Sequence, residues 1–111
     1  MSSLSLHIDN LFNPEKSFQR IADELMNDWE IHIGKSTFSI VEIEFYINDG
    51  KLHNDPYVHC SNLQKTSHEW YFHGDGLDIT CGTEDYYGSI RIRAIRDSSF
   101  NYYYGSLVII Q

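Results

Sequence analysis

The chain has 111 residues and a hydrophobic fraction of 41%, enough for one domain with its own core and no disulfide or structural metal. Sixteen acids against eight bases leave a net charge of −8, which disfavours general binding to nucleic-acid phosphates. The opening MSSLSLHIDN has no basic or apolar region of a signal peptide, no run reaches membrane-spanning length, and Cys60 and Cys81 form no CxxC pair, so a soluble, cytoplasmic protein with reduced thiols is expected.

Leu4, Leu6 and Ile8 alternate, which allows a short first strand. Asn13-Pro14-Glu15 then reads as a helix start, with Asn13 as cap, Pro14 at the first helical position and Glu15 suited to the helix dipole. Phe18, Ile21, Ala22, Leu25, Met26 and Trp29 follow at spacings of three and four, the mark of one apolar helix face.

After Gly34 the period changes to two. Strands are expected at 37–47, 68–73, 77–82, 88–96 and 101–110. Asn48-Asp49-Gly50 closes the first as a turn. Residues 53–66 read as a longer loop broken by Asp55-Pro56, and Gly74-Asp75-Gly76 as a tight hairpin connection. One helix followed by a run of strands predicts an α+β domain spanning 1–111. Its N-terminal helix packs on a curved, mostly antiparallel sheet that approaches a barrel.

The strand 37–47 places Val41, Ile43, Phe45 and Ile47 on one face and Phe38, Ile40, Glu42, Glu44 and Tyr46 on the other. In 88–96, Ser89, Arg91, Arg93 and Ile95 share a face opposite Ile90, Ile92 and Ala94. An E-x-E strand beside an R-x-R strand has two readings. One is a cross-strand ladder of ion pairs facing solvent. The other is a pocket floor, where aromatics desolvate a carboxylate, an arginine holds it, and it acts as a general base.

The segments IVEIEFY (Ile40–Tyr46), DPYVH (Asp55–His59), WYFHGDGLDIT (Trp70–Thr80) and IRIRAIRD (Ile90–Asp97) occur in an order that resembles the alkyladenine (3-methyladenine) DNA glycosylase family. The resemblance covers residues 40–97. It implies Glu44 as the carboxylate that activates water against an N-glycosidic bond, and Arg93 as the group that helps place that water. It implies Tyr46 and His59 as walls for a flipped base, with Tyr71 or His73 opposite. With Glu44 as the functional acid, Glu42 is expected as its supporting neighbour, paired with Arg91 or Arg93. Two departures stand out. Asp75 occupies the position of the duplex-wedging tyrosine, and the chain is short and acidic. Both remove what base flipping from DNA needs. The expected ligand is therefore a small nucleobase-containing molecule, not duplex DNA. A non-catalytic ligand-binding or inhibitor module is the alternative.

Six histidines, including His53, His59, His68 and His73, match no zinc spacing, so no metal or cofactor is called for. The terminal FNYYYGSLVII places Tyr102 and Tyr104 on one strand face and Tyr103 on the other. It either packs as a closing strand or, left as an open edge, supports a homodimer.

Overall fold

The computed structural model describes residues 4–50, 61–73 and 76–104. The helix α1 spans Glu15–Asn27. It starts one residue later than expected. The Pro14 carbonyl accepts from Phe18 N at 2.9 Å, while Asn13 N turns back to Asn10 O at 3.2 Å, so Pro14 and not Asn13 stands at the cap. The predicted apolar stripe is the one used: Ile21 and Leu25 are buried, with Phe18 and Met26 packed beside them. Trp29 lies past the helix end and is partly exposed.

Leu4 to Ile8 form no strand. Leu6 and Ile8 are nevertheless buried in the core. The segment is held from both sides. Arg20 of the helix donates to the carbonyls of Ser5 and His7, and Ile8 N donates to the Tyr86 hydroxyl. The Ser5 and His7 carbonyls and the Ile8 amide thus find partners without a sheet ladder.

Six strands follow among the described residues: β1 (Glu30–Ile33), β2 (Ser36–Asn48), β3 (Ser67–His73), β4 (Gly76–Cys81), β5 (Tyr87–Asp97) and β6 (Tyr102–Tyr104). β1 was not anticipated. It folds back on β2 through Gly34 and Lys35, and Gly34 takes φ +59°, where a side chain is disfavoured. A 3₁₀ turn, Asn62–Lys65, stands in the expected loop, capped reciprocally by Ser61 and Gln64.

All pairings are antiparallel, and the order is β1-β2-β5-β4-β3. β5 is the spine. β2 runs along one of its edges, while β4 (at Ser89–Arg91) and β6 (at Ala94–Arg96) share the other. The sheet curls into a half-barrel with the helix against it, the α+β arrangement expected. Phe45 stacks on Phe18 of α1 at 4.2 Å between centroids, which fixes the helix side of β2. Directly opposed residues share a face. Phe45, Ile90 and Ile79 therefore form one row under the helix, and Ile43 and Ile92 the next. Burying each such side chain contributes roughly 1.5–3 kcal/mol.

Candidate functional site

The same registers set a second row on the other face of the sheet: Tyr71, Asp78, Arg91 and Glu44, one from each of β3, β4, β5 and β2. Tyr46 and His73 lie two residues along from Glu44 and Tyr71, on that same face. Alternation sends Phe45, Ile79, Ile90 and Ile92 to the helix side, while Trp70 and Phe72, the neighbours of Tyr71, stay exposed.

Its deepest member is Asp78, which is fully buried. Oδ1 accepts from Arg91 Nε at 3.1 Å and lies 2.9 Å from His73 Nε2. A carboxylate offers only acceptors, so His73 Nε2 carries the hydrogen there. Oδ2 has no hydrogen-bond partner among the described residues. Arg91 is buried too, and its guanidinium bridges the row. Nη1 donates to the Tyr46 hydroxyl at 3.4 Å, Nη2 lies 3.5 Å from His73, and Cζ sits 4.6 Å from the centroid of the Tyr46 ring. That face of Tyr46 is covered by a cation.

Tyr46 in turn donates to Glu44 Oε2 at 2.5 Å. Burial, and secondarily this bond to Glu44, raise the phenol above its ordinary pKa, so it remains the donor. Glu44 Oε1 pairs with Arg93 Nε at 3.3 Å. Both partners lie toward solvent, with side chains 44% and 36% exposed for Glu44 and Arg93. The chain Asp78–Arg91–Tyr46–Glu44–Arg93 thus runs from a dry interior to an open rim.

Of the residues singled out from sequence, Glu44, Tyr46, Arg93, Tyr71 and His73 belong to this one face. Tyr71 and His73 pack on each other, 4.8 Å between ring centroids. His59, His53, Cys60 and Asp75 lie outside the described residues. Glu42 stands apart. It is exposed at a bulge in β2, where the register with β5 shifts on both sides of it, and among the described residues it has no ion-pair partner. The expected pairing of Glu42 with Arg91 or Arg93 is corrected: Arg91 takes Asp78, and Arg93 takes Glu44.

Arg91 sits directly opposite both Glu44 and Asp78. It goes to Asp78 because an unpaired carboxylate costs far more in the interior than at the rim. Asp78 was missed from the sequence. Its signal was one acid alternating with apolar neighbours in GLDIT, on a strand that is otherwise buried. A shallow cleft of about 330 Å³ lies elsewhere, between residues 7–12 and Thr83, Asp85 and Tyr86, and none of the described sequence-derived site residues lines it. No group of three or more potential metal ligands occurs among the described residues.

No protein-family model matches the chain, and no solved structure matches it. A curated protein of Acanthamoeba polyphaga mimivirus, the uncharacterized protein L759, is similar to it: 41% identical over 80 residues, covering 62% of this chain and 37% of that protein. The chain therefore spans well under half the length of the relative it matches.

Proposed function

We propose that the protein binds a small nucleobase-containing ligand at the rim of this polar face, with Glu44 and Arg93 as the contacting pair. The observation that carries the reading is that both carboxylate oxygens of Glu44 already have a partner. An ordinary surface carboxylate is held by one flexible partner, and such pairs contribute at most about 1 kcal/mol. Here each oxygen has its own partner, and the phenol on Oε2 is itself fixed by a buried arginine. A carboxylate held in place before its ligand arrives avoids the ordering cost of binding. Each oxygen keeps a further lone pair for a ligand hydrogen. Such a carboxylate also has the acceptor capacity to take a proton from water, which is what hydrolysis of an N-glycoside requires of it.

The test is titration of the purine nucleoside monophosphates by calorimetry. Glu44→Gln keeps the shape and lowers affinity at least tenfold, without unfolding the protein. Incubation with nucleosides, followed by chromatography for free base, separates binder from hydrolase. If base is released, Glu44→Gln slows release by about a hundredfold or more. Failure of all nucleotides to bind at millimolar concentration overturns the proposal.

A second reading, a protein-binding module, is favoured by exposed aromatics on short or edge strands. Trp70 and Phe72 of β3 are 46% and 67% exposed, and Tyr102 and Tyr104 of β6 stack on each other in the open. Light scattering across a concentration series tests the simplest partner, a second copy.

A further inference from the structure

The placement of Arg93 beside Glu44 defines which base edge fits. We infer that this pair recognises the Watson–Crick edge of guanine in preference to that of adenine; the inference rests on the nucleobase reading above. Glu44 presents two acceptor oxygens at the rim, each with one lone pair engaged, by Arg93 Nε and by the Tyr46 hydroxyl. Two acceptors side by side call for two donors side by side. Guanine offers them, N1–H and N2–H. Its next atom along the edge, O6, is an acceptor, and the Nε contact at 3.3 Å brings the Arg93 guanidinium, whose Nη groups are donors, beside the carboxylate. The order donor, donor, acceptor on the base meets acceptor, acceptor, donor on the protein.

Adenine does not fit. Its edge carries one amino donor next to N1, which is a lone pair and would face a carboxylate oxygen. A site built for paired donors penalises a ligand that leaves an acceptor unpaired. Hypoxanthine keeps N1–H and O6 but lacks the 2-amino group, so it loses one of the two carboxylate bonds. The expected ranking is guanine, hypoxanthine, adenine, with about ten- to a hundredfold between the ends.

The pattern is held by the residues behind it. Turning the Glu44 carboxylate out of its plane would take both acceptors off the base edge, and Tyr46, under Arg91 and bonded to Oε2, opposes that turn. The edge-reading residue is thus the exposed one, and the buried cluster keeps it aimed.

The experiment is a titration of the protein, and of Glu44→Gln, with guanosine, inosine and adenosine 5′-monophosphates. The inference expects the wild type to follow that ranking. It also expects the preference to collapse or invert in Glu44→Gln, because glutamine presents one acceptor and one donor, the complement of adenine's edge. A ribose or phosphate contact alone would leave all three ligands equal. Equal binding of the guanine and adenine nucleotides, weakened alike by Glu44→Gln, overturns the edge reading and leaves the nucleobase site standing. Absence of binding by all three overturns both. A stable, folded Glu44→Gln protein that keeps the full guanine preference also overturns the edge reading.

Discussion

Asp78 and Glu44 are both acids opposite Arg91, yet their environments assign them opposite consequences. Asp78 is fully buried, with Arg91 and His73 on a single oxygen. Neutralising it in Asp78→Asn leaves the Arg91 guanidinium in the interior without its counter-charge, and the expected loss is about 3–5 kcal/mol. Glu44 is half-exposed, so Glu44→Gln should cost under about 1 kcal/mol. Urea unfolding of the two variants compares them directly, and equal losses would mean that the two carboxylates do not differ in burial as described. Cys81 gives the residue scale a pH signature. Burial, reinforced by the nearby Asp78, pushes its thiol up to about 12 from 9.0. The native state therefore keeps this proton while the unfolded chain releases it. Its contribution is complete below pH 9 and is lost as pH rises from there toward 12, at about 1.4 kcal/mol per pH unit. Unfolding free energies of wild type and Cys81→Ala at pH 8, 9 and 10 should diverge in slope above pH 9, and parallel curves would contradict it. Tyr46 and Tyr86, raised mainly by burial, act in the same direction above pH 10. Glu44 and Arg93 were legible in the sequence because E-x-E and R-x-R stand out against apolar strands. Asp78 was not, because nothing local says which acid lies opposite which base.

Between elements, the tightest joint is where the 3₁₀ turn meets the β4–β5 connection. Gly82 N donates to Thr66 O at 2.8 Å, and a Cβ at Gly82 would stand 1.7 Å from the Gln64 carbonyl oxygen and 2.7 Å from that of Tyr86. These are backbone atoms and cannot rotate away. Gln64 is itself buried and donates to Ser89 on β5, so the turn cannot slide outward without breaking that bond. Gly82→Ala should therefore cost upwards of roughly 3 kcal/mol, in the range of the overpacking and lost-network mechanisms that give large effects. Thermal unfolding checks it, and a midpoint within 2 °C of wild type, no more than about half of what about 1 kcal/mol produces, would show that the turn can move. By contrast, alanine at Gly34 meets nothing within 4 Å, and only its φ of +59° resists. The longer elements were readable from periodicity. β2, β3, β4 and β5 differ from the expected spans by a residue or so at each end. β1 was hidden because Trp29 continues the helical spacing up to its first residue, and four residues are too few to establish a period of two. The turn at Asn62–Lys65 announced itself in Ser61-Asn62-Leu63-Gln64, a capping-box pattern, but stood inside a segment read as loop.

At the scale of the whole molecule, charge decides the last expectation. The chain carries −8, and duplex binding draws on several cationic contacts to phosphate. The one basic cluster in the sequence is Arg91, Arg93 and Arg96. Each arginine is already engaged. Arg91 is buried against Asp78, Arg93 is paired with Glu44, and Arg96 lies over the Phe100 ring with its Nη2 on Ser39. Turning Arg91 to a phosphate would strand Asp78 in the interior, so the cluster cannot act as a patch without dismantling the buried network. Arg93 alone stands at the rim, and a single contact confers little affinity and a salt slope of only about one. The expectation is weak or undetectable binding to plain and alkylated duplexes near physiological salt. Fluorescence anisotropy with labelled duplexes measures it. Any residual binding should be almost flat in salt, whereas nanomolar affinity falling steeply with salt would require a basic surface that the described residues do not offer. The comparison carries weight only beside the mononucleotide titrations. A protein that binds guanosine monophosphate and ignores duplex reads a base already free of the stack, and an acidic surface is no handicap for a ligand held by its base edge.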